Sequence, residues 1–254
     1  MNSFGAEGIV LKRKNLGEAD KLITVFTRTK GKIRTLAKGV RKVTSRRGGN
    51  LEILTQVKIF LHETKSWPIL TEVETKRNFS SIKDVLSKLS LVYLIFELID
   101  QFLSEEQENI VVFDLLIASL IGIDESKSLE KAKVFATNFQ LKFLSQVGYL
   151  PQLQNCMVCD QKILPEANFL APYLGGLVDK DCGREVLLSR PLSLEAIKTL
   201  RFLVKTPIGE VCKLSLEKKL LKELFEALNF YTVFFLEKDL NSPRFALAVE
   251  KLYH

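Results

Sequence analysis

The feature that most constrains the fold is a change of hydrophobic period near residue 80. From residue 5 to about residue 76, short runs rich in Val, Ile, Thr and Phe are separated by turn residues, a pattern typical of β-strands. From Ser81 onward, apolar residues recur at three- and four-residue spacing, a pattern typical of amphipathic helices. The sequence therefore predicts an α+β chain with a β-domain at 1–77 and a helical domain at 78–254.

Five short strands are predicted in the first 77 residues, at 6–14, 21–28, 32–38, 51–63 and 69–76. The second and third strands should form a hairpin across Thr29-Lys30-Gly31, because glycine supplies the positive φ that such turns require. In the fourth strand, Val57, Ile59 and Leu61 should share one face, with Lys58, Phe60 and His62 on the other. Five antiparallel strands cannot bury both faces as an open sheet, so we expect closure into a small OB-fold barrel.

The helical pattern predicts six helices. They are expected at 81–102, 110–123, 128–146, 194–204, 214–238 and 243–251. Ser128 and Ser193 stand where N-caps are needed, and Gly148 should end the third helix. The second helix is apolar nearly all round, so we expect it to be buried. The helices form a bundle that an irregular insert interrupts at about 151–191.

Positive charge is concentrated at the N-terminal end of the chain. Residues 1–77 hold 17 Lys/Arg and 7 Asp/Glu, a net charge of +10, which leaves 20 and 23, a net of −3, for residues 78–254 out of the total of 37 and 30. No acidic residue lies between Asp20 and Glu52, whereas ten basic residues do. Such an asymmetry indicates an acidic partner for the first domain.

The densest part of the basic stretch, residues 38–50, also contains Gly39, Gly48 and Gly49. Glycines let a backbone bend and approach a ligand closely, so the stretch is interpreted as a loop that contacts a phosphate backbone. The alternative is an ordinary solvated surface loop. The predicted DNA-binding residues are Arg34, Lys38, Arg41, Lys42, Arg46 and Arg47.

Three aromatic residues could act as stacking platforms for single-stranded nucleic acid. They are Phe60, Trp67 and Tyr93. Aromatic side chains at strand spacing usually face inward, so we expect packing in the core to be the fate of each.

The insert carries a possible metal site. Cys156 and Cys159 form a C-x-x-C pair, and Cys182 follows 23 positions later, so the spacing resembles a zinc ribbon that has lost one ligand. Asp179 occupies the fourth position, and a carboxylate can ligate zinc although structural sites usually use Cys and His. Cys212 is the other candidate ligand, but we expect it to be a small core residue. Two interpretations stay open: a site that binds one structural zinc ion, and the metal-free remnant of a zinc ribbon.

The residues offer no catalytic constellation. There is no P-loop and no dinucleotide fingerprint, and the only histidines are His62 and His254. The acidic group Glu105, Glu106 and Glu108 is explained by the dipole of the helix that follows it. No signal peptide and no apolar run of about 20 residues are visible, so we expect a non-enzymatic, cytoplasmic protein without a membrane span.

The order of several short motifs resembles the RecO family of bacterial recombination mediators over nearly the whole chain. The motifs are Ala6-Glu-Gly-Ile-Val-Leu11, Gly17-Glu-Ala-Asp-Lys-Leu22, Ala37-Lys-Gly-Val-Arg41 with Ser45, Gly148-Tyr149 with Pro151, and the Cys156/Cys159 pair. Each is weak alone, whereas their joint order is specific. One departure is that Asp179-Lys-Asp-Cys182 stands where zinc-bearing members usually show a second C-x-x-C.

The resemblance implies a DNA-repair and recombination protein of the bacterial nucleoid that responds to DNA damage. It implies binding to single- and double-stranded DNA, annealing of complementary strands, and cooperation with RecR in the RecF pathway. It also implies contact with the C-terminal tail of single-stranded DNA-binding protein and, indirectly, loading of RecA.

Two other classes of protein stay open on the residues themselves. An OB-fold protein that binds RNA or acts in translation would show the same charge but should prefer structured RNA. An accessory factor of a nuclease or ligase would need a cluster of carboxylates near the barrel, which the sequence does not offer.

Overall fold

The computed structural model describes residues 3–41 and 49–236. The chain divides into two compact units. The barrel unit takes in the chain up to Asp84 together with Ile99–Asp114, and the helical unit takes in Val85–Leu98 and the chain from Leu115 onward. The division into domains at residue 77 remains a prediction, since the barrel unit also includes a later segment of the chain.

The barrel unit is built on five strands. They are β1 (Ser3–Leu16), β2 (Asp20–Thr27), β3 (Gly31–Ala37), β4 (Gln56–His62) and β5 (Ile69–Arg77). The strand order is β1-β2-β3-β5-β4, and β4 pairs back to β1, so the sheet closes into a barrel. The β3–β5 contact is parallel and limited to the pair Leu36 and Ile69. This is the partly open, five-stranded barrel of an OB-fold, as the sequence predicts.

The barrel core follows the predicted alternation. Val57, Ile59 and Leu61 are completely buried, and they pack among Val10, Ile23, Val25 and other apolar side chains of neighbouring strands. The β2–β3 turn also follows the prediction, because Gly31 has a φ of +62°. Alternation with period two thus fixes which face of each strand is buried.

The predicted fourth strand is too long at its N-terminal end. Gly49–Leu51 forms a short 3₁₀ turn, and β4 begins only at Gln56. Leu54 has a φ of +62°, and its N–H donates to the carbonyl of Val10 at 2.9 Å. Backbone hydrogen bonds to β1 therefore hold the segment before β4 in a turn. The local sequence pattern does not predict this contact.

Seven α-helices are described. They are α1 (Ser80–Lys83), α2 (Leu86–Phe102), α3 (Ile110–Glu125), α4 (Leu129–Gln146), α5 (Lys180–Gly183), α6 (Leu194–Lys205) and α7 (Lys218–Leu236). The hydroxyls of Ser128 and Ser193 accept from the N–H groups of Lys131 and Ala196, so both predicted N-caps are confirmed. Among the described helices, none is both long and apolar enough to cross a membrane.

Three helix predictions need correction. The helix expected from residue 81 is interrupted at Asp84 and Val85, between α1 and α2. The helix α3 is not buried all round, because the side chain of Val111 is 57% exposed. The helix α7 begins at Lys218 rather than at residue 214, because Ile208–Lys213 forms a 3₁₀ segment and the Lys131 ammonium donates to the carbonyl of Leu214. The end of the helix expected at 214–238 and the whole of 243–251 lie outside the described residues.

The insert expected to be irregular contains a small sheet. Its strands are β6 (Asn168–Ala171), β7 (Gly176–Val178) and β8 (Arg190–Leu192), in the order β7-β6-β8. The backbone of Gln152 accepts from Leu177 N–H and donates to the Gly175 carbonyl, both at 2.9 Å. A Cβ on Gly176 would lie 2.5 Å from the Gln152 carbonyl oxygen, so this close approach needs glycine.

Inside the barrel unit, residues 99–114 pack on the outer face of the β2–β3 hairpin at Phe26 and Lys32. The ring of Phe113 packs on that of Phe26, with centroids 5.9 Å apart. The N–H of Glu106 donates to the Lys32 carbonyl at 3.0 Å, which adds a short parallel bridge beside β3. The Lys32 ammonium is buried and contacts both the carbonyl and the carboxylate of Asp100. This segment therefore completes the barrel where β3 and β5 barely pair.

The closeness of this segment makes Gly31 sensitive to substitution. A Cβ at Gly31 would lie 2.1 Å from the Gln107 carbonyl oxygen, whereas a Cβ at Gly17 would meet nothing within 4 Å, although both residues have positive φ. We expect Gly17→Ala to lower the free energy of unfolding by about 1 kcal/mol, for the left-handed backbone alone. Gly31→Ala should lower it by about 3 kcal/mol, because the overlap adds to that cost.

Urea unfolding followed by the fluorescence of Trp67, the single tryptophan of the chain, measures both changes in the barrel unit. Equal losses for the two variants would show that residues 99–114 do not pack on the hairpin in solution.

Candidate functional site

The start of the predicted basic loop is fixed against the β1–β2 turn. The N–H of Arg41 donates to the carbonyl of Ala19 at 3.0 Å, and its Nη1 donates to the carbonyl of Gly17 at 2.7 Å. The N–H of Gly39 donates to Oδ1 of Asp20 at 2.8 Å. Lys38 and Arg41 are both exposed there. The loop thus emerges beside the β1–β2 loop, one of the two loops with which OB barrels bind oligonucleotides.

The structure describes three of the six predicted DNA-binding residues, namely Arg34, Lys38 and Arg41. Lys42, Arg46 and Arg47 lie outside the described residues. Arg34 lies on β3, and its Nη2 contacts Oε1 of Glu105 at 2.6 Å. The assignment of these cations to DNA therefore stays a prediction.

The acidic group at 105–108 has a different environment from the one expected. The helix α3 starts only at Ile110, where the Asn109 side chain accepts from the N–H of Val112 at 3.0 Å. Glu105 lies against the barrel and pairs with Arg34 instead of standing in the first turn of a helix. The explanation by the helix dipole is therefore wrong for Glu105.

Other barrel cations are also paired with carboxylates. Arg28 makes a bidentate contact with Asp114, with both N···O distances at 3.0 Å, and this contact raises the pKa of the Arg28 guanidinium. Lys12 contacts Asp100 at 2.5 Å, and Arg13 pairs with Glu52. Sequence reasoning missed the pairs with Asp100 and Asp114 because their partners lie 68 to 88 positions apart.

Two of the three aromatic side chains expected in the core are exposed. Phe60 lies on the outer face of β4 and is 37% exposed, with the Lys58 ammonium 5.3 Å from its ring centroid. Trp67 lies in the loop between β4 and β5 and is 40% exposed. They are exposed because the alternation of β4 points Phe60 outward and the β4–β5 loop carries Trp67 past the end of the strands. Tyr93 is partly buried in α2.

The insert gathers the predicted metal ligands into one cluster. The Sγ atoms of Cys156, Cys159 and Cys182 and a carboxylate oxygen of Asp179 all lie within 4.8 Å of one another. The Sγ of Cys159 is 3.0 Å from Oδ2 of Asp179. Cys212 takes no part in this cluster. It is exposed on the 3₁₀ segment before α7, so its expected place in the core is wrong.

Two tight turns position the cluster. In the first, the N–H of Cys156 donates to the Gln161 carbonyl at 2.8 Å, and Asp160 closes the turn with a φ of +59°. The second follows β7, where Oδ1 of Asp179 accepts from the N–H groups of Asp181 and Cys182 and so caps α5. One oxygen of Asp179 thus holds the backbone, while the other faces the thiols.

The crowding of these groups shifts their pKa values. The hydrogen bond from Cys159 and those from the backbone hold the pKa of Asp179 well below its usual range. Burial and the neighbouring thiols raise the pKa of Cys182 to about 12, and the bond to Asp179 raises that of Cys159. In the absence of a cation, the thiol forms of Cys159 and Cys182 are therefore favoured over their thiolates, and Cys159 donates to the carboxylate of Asp179. A bound cation inverts this preference.

The cluster fits a tetrahedral metal ion. A zinc ion with Zn–S bonds of about 2.3 Å places ligand atoms about 3.8 Å apart, so the present separations, which run from 3.0 Å to at most 4.8 Å, need to change by no more than about 1 Å. The N–H groups of Val158 and Asp179 both point at Sγ of Cys156 at 3.5 Å, and such donors stabilise a thiolate ligand. Three sulfurs and one oxygen on two turns can therefore hold one metal ion.

The geometry defines a class of protein. It is an OB-barrel protein with a helical unit and a small cysteine-bearing module of the zinc-ribbon kind. Residues 1–79 match the family model described as Recombination protein O N terminal, and residues 84–244 match Recombination protein O C terminal. The chain belongs to the RecO family.

Several curated relatives are similar over almost their whole length, and each is named DNA repair protein RecO. The relative from Dehalococcoides mccartyi is 30% identical over 238 residues, which is 94% of this chain and 92% of that protein. The relative from Caldanaerobacter subterraneus is 30% identical over 247 residues, covering 97% and 98% of the two chains. The relative from Roseiflexus is 29% identical, with 95% and 84% covered.

The exposure of Trp67 generates a prediction. If Trp67 stacks on bases, Trp67→Ala should weaken binding of a fluorescein-labelled oligo-dT strand about tenfold in fluorescence anisotropy, since one stacked base contributes about 1–3 kcal/mol. The matched control is Phe202→Ala, which removes an aromatic ring that is similarly exposed on α6 of the helical unit. Equal affinities for the two variants would show that Trp67 does not contact the DNA strand.

Proposed function

We propose that this protein acts in DNA repair by binding single- and double-stranded DNA and annealing complementary strands. The observation that carries the proposal is the coincidence of an OB barrel, a net charge of +10 on residues 1–77, and a basic loop that starts beside the β1–β2 turn. The names of the relatives as DNA repair proteins support the same role.

The mode of DNA binding is contact with the phosphate backbone. Lys38, Arg41, Lys42, Arg46 and Arg47 supply the charge, and exposed Phe60 and Trp67 offer π-faces that accept any base. Neither kind of contact reads a sequence. A protein that neutralises two strands without reading them brings complements together, which is what annealing requires.

In this proposal the protein is a mediator rather than a catalyst. Annealing releases free energy through base pairing, so the protein needs neither ATP nor a nucleophile. The barrel unit holds DNA, and the helical unit serves protein partners. These are RecR, the C-terminal tail of single-stranded DNA-binding protein, and RecA through loading onto the strand.

The proposal is tested by annealing of two complementary oligonucleotides without ATP or added metal, followed by loss of donor fluorescence. The wild-type protein should accelerate annealing. A variant with Lys38, Arg41, Arg46 and Arg47 changed to Gln should lose most of that acceleration. Its slope of log affinity against log salt on single strands should flatten by about 3 units, at about 0.7 per phosphate contact.

The matched control changes four exposed lysines of the helical unit, Lys198, Lys218, Lys219 and Lys222, to Gln. It removes the same charge and should leave both quantities near the wild-type values. A wild-type protein that does not accelerate annealing, or that prefers structured RNA in competition, would contradict the proposed function.

We further propose that Cys156, Cys159, Cys182 and Asp179 hold one structural zinc ion. When bound, zinc supplies a cross-link between the turn at 155–162 and the start of α5, and it performs no chemistry on DNA. The four residues would fill all four positions of a tetrahedral zinc ion, which is typical of structural rather than catalytic sites.

The zinc proposal predicts about one equivalent of zinc in protein purified without chelator, measured by elemental analysis. Chelation should lower the melting temperature, because metal binding contributes to folding of the module. Cys159→Ser should lose the metal, whereas the matched variant Cys212→Ser should keep it, since Cys212 lies outside the cluster. A well-folded wild-type protein without metal would rule the site out.

A further inference from the structure

The outer face of the β2–β3 hairpin carries two arginines whose present partners are carboxylates of the same unit. In OB barrels this face, together with the adjoining loops, is where oligonucleotides bind. Here Arg34 lies on β3 opposite Thr24, and Arg28 follows Phe26 by two residues. Alternation places Arg34 on the outer face, whereas Arg28, in the turn after β2, reaches Asp114 of the segment that packs on this face. The two backbone positions lie about 13 Å apart along the hairpin, at about 3.3 Å per residue.

The two arginine pairs differ from the lysine pair at the centre of the same face. The Lys32 ammonium is only 6% exposed and is held by two oxygens of Asp100, so its contact is a buried link between β3 and residues 99–114. In contrast, Arg28 and Asp114 are 45% and 54% exposed, and Arg34 and Glu105 are 47% and 43% exposed. Exposed pairs of this kind contribute little to stability and exchange partners at little cost.

The geometry of the arginine pairs matches that of a phosphate contact. The Arg28 guanidinium presents Nε and Nη2 to the two oxygens of Asp114, which is the fork that also binds two oxygens of a phosphate. We propose that Arg28 and Arg34 form a second phosphate-binding track for single-stranded DNA, and that Asp114 and Glu105 occupy it in the DNA-free protein as an intramolecular mimic of the phosphate backbone.

This inference rests on the proposed DNA-binding function and deepens it. When a strand arrives, the two arginines turn from carboxylates to phosphates while Phe26, Phe113 and Lys32 keep residues 99–114 in place. The freed carboxylates then repel the strand, so the acidic pair sets an upper limit to the affinity. A limited affinity allows the protein to release the strand after annealing.

Two double variants of the full chain test the inference by fluorescence anisotropy with labelled oligo-dT. Glu105→Gln with Asp114→Asn removes the mimic and should tighten binding about threefold to tenfold, as expected from the strength of exposed ion pairs. Arg28→Gln with Arg34→Gln removes the track and should flatten the salt slope by about 1.4 units, at about 0.7 per contact.

The matched control for the first variant is Glu210→Gln with Glu217→Gln, which removes two exposed carboxylates from the helical unit. It should change affinity by less than about twofold, since these residues belong to neither the proposed track nor the barrel unit. Thermal unfolding shows whether each variant is folded, and the two main variants check each other because they predict opposite changes.

The outcomes separate the inference from the function it rests on. If the wild-type protein binds oligo-dT and anneals strands, but the carboxylate variant binds no more tightly than the control, or the arginine variant keeps the wild-type slope, the inference is overturned and the proposed function stands. If the wild-type protein binds no DNA, both fail.

Discussion

The buried contact between Lys32 and Asp100 is the interaction on which the barrel unit most depends. An ammonium in so enclosed a position is costly unless it is paired, and loss of one partner of a buried pair costs about 3–5 kcal/mol. Burial opposes ionisation of Asp100, but the hydrogen bond from Lys12 and the charge of Lys32 outweigh it and lower the pKa of this carboxyl. The stabilisation is therefore present above the usual pKa of Asp and is lost as the pH falls through the lower folded value. Through this contact, residues 99–114 close the weak β3–β5 side of the barrel and bring Glu105 and Asp114 to its surface.

The local sequence pattern is sufficient to predict features that depend only on residues close together in the chain. The alternation of Val57, Ile59 and Leu61, the glycine of the β2–β3 turn and the Ser128 cap could all be predicted, because each depends on neighbours within a few residues. The cysteine cluster could also be predicted, since the C-x-x-C spacing and the position of Asp179 carry the geometry of two turns.

The remaining features depend on contacts between distant parts of the chain. Leu54 lies in a turn rather than a strand because its N–H donates to the carbonyl of Val10. Glu105 lies before the start of α3 and forms an ion pair with Arg34. Phe60 is an exception, because the alternation of β4 itself directs its ring outward, against the general preference of aromatic side chains for the core. Charge density alone could not distinguish cations directed at solvent from those already paired within the unit.

The central claim is that the barrel unit, through the basic loop and the β4–β5 loop, is the DNA-binding part of the chain. Photo-crosslinking of a bromodeoxyuridine-substituted single strand to the full-length protein, with mapping of the modified peptides, tests this most directly. The account predicts crosslinks in peptides that contain residues 38–50 and 63–68. Crosslinks confined to peptides from residues 115–236 would contradict it.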